Sequence, residues 1–174
     1  MILGMTPFTL FHVILSLIGI FTGLVVALGL LTAKRLNGWT AVFLVTTALT
    51  SVTGFLFPFH RFLPSHVVGI LSLIVLVPAI AARYAFRLEG AWRRTYAVTA
   101  MIALYLNVFV LVAQLFMKVP ALKALAPTQT EAPFKLAQLT VLLVFLVLTI
   151  LATIRFRVES VADLQKQPVS PTTV

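Results

Sequence analysis

Five apolar runs, each about as long as a bilayer is thick, limit what this chain can fold into more than any other feature. A transmembrane helix needs about 20 mostly apolar residues to cross a hydrocarbon core of about 30 Å. The runs cover residues 8–32, 39–59, 65–82, 96–117 and 136–154, and none of them contains Asp, Glu, Lys or Arg. With 61% hydrophobic and 10% charged residues, the chain lies far from soluble domains, in which about a quarter of residues are charged. The expected fold is therefore all-α: an integral membrane helical bundle of five transmembrane helices in one domain, residues 1–157, followed by a disordered polar tail over 158–174.

The flanks of the runs set the expected orientation. Lys34 and Arg35 close the first run, Arg83, Arg87, Arg93 and Arg94 separate the third from the fourth, and Arg155, Arg157 and Lys166 follow the fifth. Only Arg61, Lys118, Lys123 and Lys135 fall at the other end. Cytoplasmic loops are enriched in Lys and Arg, so nine cations against four predict the N-terminus outside and the C-terminus inside. The first run lacks a preceding basic residue and a following small-x-small site, so it is expected to be retained and not cleaved as a signal peptide. The net charge of +9 is thus explained by topology; no basic patch points to nucleic acid, and the expected surroundings are lipid. Cysteine is absent, which excludes disulfides and thiol-exchange chemistry.

Inside a bilayer, helices associate through small residues and shared polar groups. Gly19 and Gly23, extended by Ser16 and Ala27, form such a stripe in the first run. His12 continues it and is expected to face a neighbouring helix. The second run carries Thr46, Thr47, Thr50, Ser51 and Thr53, hydroxyls suited to bonding their own helix or bridging to the next. In the fourth run Ala103, Asn107 and Gln114 share a face, with Lys118 one turn on, and that face is expected to point inward because unpaired amides are costly in lipid. Pro78, near the end of the third run, is expected to kink it in the service of packing.

All three histidines fall near the same end. His12 begins the first run, while His60 and His66 flank the turn between the second and third. Two imidazoles at equal depth on facing helices suit a bis-histidine haem b, and His12 with His66 is the preferred pair, with His60 as substitute. Asn107 and Gln114 would supply supporting hydrogen bonds. A quinone is the other candidate cofactor, since an imidazole beside Phe55, Phe57, Phe59 and Phe62 offers one polar contact within an apolar channel. Three imidazoles with Glu131 would alternatively hold zinc or copper. The segment from Lys118 to Phe134 is long for a loop and is expected to cover the mouth of the bundle.

The segments FHVILSLIGIFTGLVVALGLL, TSVTGFLFPFHRFLPSHVVGILSLIVL, LYLNVFVLVAQLF and LAPTQTEAPF together resemble an uncharacterised family of small bacterial multi-span inner-membrane proteins. The resemblance covers about residues 11–134 and implies the bacterial inner (cytoplasmic) membrane, with no site residues to carry over. Functionally, the residues point first to a haem- or quinone-binding electron-transfer protein. The alternatives are a structural or accessory anchor subunit, associated with other membrane subunits or with itself as a homo-oligomer, and a small-molecule transporter. Proton-coupled transport is disfavoured by the absence of ionisable groups within the runs. No phosphate loop, serine-nucleophile motif or HExxH suggests hydrolysis.

Overall fold

In a computed structural model of the chain, residues 6–57 and 64–165 are described, those at 64–65 and 157–165 by their backbone alone. Among the described residues there are six α-helices and no strand: α1 Pro7–Leu31, α2 Asn37–Gly54, α3 Pro64–Ile80, α4 Trp92–Lys118, α5 Pro120–Leu125 and α6 Ala132–Gln165. Four stretches are long and apolar enough to cross a membrane, Pro7–Leu31, His66–Ala85, Trp92–Lys118 and Ala132–Phe156. Large apolar side chains cover their outward faces, among them Phe11, Ile14, Phe21 and Leu28 on α1 and Leu136, Leu143, Val147 and Ile154 on α6. Such a surface belongs in lipid, because soluble monomers rarely expose contiguous apolar patches of this extent.

α2 is not among the four, since Asn37 and its hydroxyls dilute its apolar character. Its 18 residues nevertheless extend about 27 Å at 1.5 Å per residue. It lies between α1 and α3, and α4 packs on both α3 and α1, so the four helices close a ring against which α6 leans through α4 and α1. α2 starts beside the Tyr96 level of α4, where Tyr96 Oη donates to Thr40 Oγ1 at 3.2 Å, and ends beside His12 near the start of α1. It therefore runs alongside its neighbours from the Tyr96 level of α4 to the His12 level of α1, and is shorter than either.

Small residues make the ring close. Gly19, Gly23 and Ala27 are buried on α1, in line with the stripe. A Cβ on Gly23 would stand 2.5 Å from Leu104 Cδ1 and 2.8 Å from Phe43 Cε2, so α1 meets α2 and α4 at a distance only glycine permits. One on Gly69 would stand 3.1 Å from the Phe55 ring, a looser fit than at Gly23, where α3 passes the turn after α2. α3 carries Pro78 and then continues as a π-turn over Ala81–Ala85. Phe86 N–H bonds the Ala81 carbonyl and Leu88 N–H that of Ala82. Arg87 and Leu88 take left-handed backbone angles, Leu88 turns into the core, and Phe86 stacks on Trp92 with centroids 3.8 Å apart.

Several boundaries differ from expectation. The apolar pattern predicts a second helix reaching residue 59, but α2 stops at Gly54, where Phe55 N–H and Leu56 N–H fold back on the Val52 and Thr53 carbonyls in a tight turn. α4 starts four residues early, at Trp92. α6 continues to Gln165, past the expected start of the tail at 158. The stretch from Val158 to Gln165 holds no Gly or Pro, and the first helix-breaker beyond it is Pro168. Residues 166–174 lie outside the described residues. The connection after α4 contains a short helix, α5, whose side chains are mostly exposed.

Candidate functional site

The histidine end is built on the last turn of α2. Thr53, on that turn, has its hydroxyl oxygen 2.8 Å from His12 Nδ1, 2.7 Å from the Leu49 carbonyl and 3.2 Å from that of Thr50. A hydroxyl has one proton, and a carbonyl only accepts. Directing the proton to Leu49, as threonines in membrane helices commonly do, leaves the oxygen to accept from His12 Nδ1–H. In a neutral imidazole that arrangement leaves Nε2 unprotonated. The ring is half-buried and meets Phe57 edge-on, 5.1 Å between centroids at 89°; Phe8 lies 5.0 Å from the same phenyl.

His66 opens α3 and is 5% exposed. Its ring lies 5.9 Å from Phe55. The two histidines therefore meet the end of α2 through different residues, His12 through Thr53 and Phe57 and His66 through Phe55. His60, Phe59 and Phe62 lie outside the described residues.

Asn107 behaves as its position predicts. Its Nδ2 donates to Thr47 Oγ1 at 3.1 Å, and a Cβ on Gly19 would stand 3.2 Å from Thr46 Oγ1 and 3.7 Å from Asn107 Nδ2. Three helices thus share one polar seam. Gln114 does not follow: its side chain is exposed. The reason is the length of α2. Seven residues beyond Asn107 is Gln114, and seven beyond its partner Thr47 is Gly54, the last residue of α2 and one without a side chain. Phe116, against Phe134, is the buried residue there instead.

The remaining α2 hydroxyls are mostly occupied locally, Thr46 on the Val42 carbonyl at 2.7 Å and Ser51 on that of Thr47 at 2.9 Å. Thr50 Oγ1, Ser72 Oγ and Gln138 Oε1 are buried without a hydrogen-bond partner. Gln138, which the spacing of polar residues does not single out, is 9% exposed and donates from Nε2 to the Phe109 carbonyl at 3.1 Å. Its signal in the sequence is a lone amide in the first turns of a leucine-rich helix. Among the described residues no three His, Asp or Glu side chains converge on a metal-sized site. Glu131 is instead engaged in its own turn, accepting from Thr128 Oγ1 at 2.8 Å, Thr128 N–H at 3.1 Å and Thr130 N–H at 3.0 Å. Desolvation pushes its carboxyl up, but these donors together outweigh it and hold the pKa below the usual carboxylate value.

Fold and site together define the class: a multi-pass helical membrane bundle with an internal polar seam and an aromatic-flanked imidazole at one end. No family model, curated protein or solved structure matches the chain, so what this end does is argued from its own residues.

Proposed function

We propose that the chain is a five-span bacterial inner-membrane protein, with its N-terminus outside, that binds a redox-active ring at the histidine end. The observation that carries this is the bond between His12 Nδ1 and Thr53, itself fixed on the Leu49 carbonyl. Such a bond fixes ring orientation and tautomer, and it leaves Nε2 to accept a hydroxyl proton or to ligate a metal. A quinone bound as its quinol comes first, because a quinol hydroxyl can donate to the bare Nε2, and Phe8 and Phe57 supply apolar walls. Haem b comes second, because it needs His66 as its other ligand, and His66 meets Phe55 and not the Thr53–Phe57 pair that holds His12. The five-span count is supported by α2 packing between α1 and α3 over about 27 Å of helix. The orientation is supported by Lys34, Arg35, Arg83, Arg93 and Arg94 collecting at one end of the bundle.

Protein purified from its host in mild detergent tests the proposal, by extraction of bound quinone and by a reduced-minus-oxidised visible spectrum. Quinone retained by the wild type and lost in His12→Ala, while His66→Ala keeps it, supports quinone. Soret and α-band signals lost in both variants support haem. A colourless, quinone-free protein contradicts both. That result favours the accessory-anchor alternative, which the mutual bonding of Asn107 with Thr47 and of Tyr96 with Thr40 supports, since these groups hold helices together and face one another.

A further inference from the structure

At the opposite end, Lys34, Arg35, Thr40, Arg83, Tyr96 and Phe156 line a small, partly open cleft. Its enclosed part has room for about one water, so an anion as large as phosphate would sit at its open mouth. Lys34, Arg35 and Arg83 are among the residues that line it, and no carboxylate is. Their placement is built into the backbone. Ala33 takes the left-handed conformation (φ 57°), and Lys34 N–H caps the Gly29 carbonyl at 2.7 Å, which folds Lys34 and Arg35 back over the end of α1. The π-turn after Pro78 presents Arg83 from the other side. There the guanidinium donates to Asn37 Oδ1 and lies 5.7 Å from the centre of the Tyr96 ring. It is half-buried and held flat, with further N–H groups in its fork.

We propose that this cleft binds a phosphate-bearing anion, with Arg83 as the fixed ligand and Lys34 and Arg35 as flexible ones. Basic pockets between membrane helices suit anionic lipid headgroups, and free phosphate offers the same chemistry. This site is independent of the histidine end.

The test is native mass spectrometry of the full chain in dodecyl maltoside, titrated with dioleoyl phosphatidylglycerol or dioleoyl phosphatidylcholine. The site predicts preference for phosphatidylglycerol and a loss of roughly fivefold in affinity for each cation removed, in Arg83→Gln and in the double variant Lys34→Gln with Arg35→Gln. The double variant alters only exposed side chains, so it remains informative if Arg83→Gln misfolds. Arg94→Gln, at the same end but outside the cleft, should change affinity less than about twofold. Competition by inorganic phosphate would locate recognition in the phosphate itself, and its failure to compete would assign the site to a lipid headgroup; either supports the cleft. Equal binding of the two lipids, or an equal loss in Arg94→Gln, would overturn it.

Discussion

α1 and α6 are nearly indistinguishable by composition, with mean hydropathies of 2.6 and 2.5 over their most apolar windows, yet 44% of one window and 17% of the other is buried. The difference lies in which residues are not large and apolar. α1 places Gly19, Thr22, Gly23 and Ala27 along one side and packs them against α2 and α4. α6 turns Leu139, Leu142, Leu143, Leu146, Val147 and Ile150 outward and buries little beyond Gln138, Phe145, Ala152 and Phe156. In lipid, hydropathy decides only whether a helix enters the membrane. Small and hydroxyl-bearing residues decide which helix lies inside the bundle.

The largest effect on this contrast is expected from Gly23→Val. Phe43 and Leu104 already lie within 3 Å of where a Cβ at position 23 would stand, so the substitution should cost about 3 kcal/mol, read by SDS unfolding in mixed micelles. An unchanged midpoint would mean that α1 is free to move away. Asn107→Leu should cost about 1 kcal/mol in the same assay, the usual size of an interhelical hydrogen bond in a membrane, and Thr47→Val should add nothing further in the double variant. Leu143→Ala, on the lipid face of α6, should fall within about 0.5 kcal/mol of the wild type.

The smallest effect concerns Glu131. Its pKa is lowered in the fold, so its contribution to the 128–131 turn is present above the unfolded carboxyl pKa and lost as pH falls through the folded one. Glu131→Gln should therefore speed amide exchange at Thr128 and Thr130 at neutral pH and leave it unchanged in strong acid. Equal acceleration at both would show that the carboxylate charge is irrelevant to the turn.

The apolar runs, the Gly19–Gly23 stripe, the inward His12 and the hydroxyl bonding of α2 can be read from spacing alone, because helical periodicity and the cost of unpaired polar groups act locally. Gln114 cannot, because its surroundings depend on where α2 ends, and a glycine followed by a turn within an unbroken apolar run hides that end. The burial of Gln138 depends on the approach of α6 to the Phe109 carbonyl, a tertiary fact. In the sequence the basic cleft is visible only as a count of cations; it becomes a place through the π-turn at Ala81–Ala85 and the left-handed Ala33, neither of which has a marker as plain as a glycine.

The proposed ring-binding role of the histidine end turns on one nitrogen atom. Solid-state ¹⁵N NMR of histidine-labelled protein in lipid bilayers, with His60→Gln and His66→Gln to isolate the signal, reads the His12 tautomer directly. The expected result is a neutral ring protonated on Nδ1 with a bare Nε2, and a shift of that equilibrium in Thr53→Val. A ring protonated on Nε2, with Nδ1 accepting from Thr53, would contradict the proposal as stated, because His12 would have no free lone pair for a haem iron or a quinol hydroxyl.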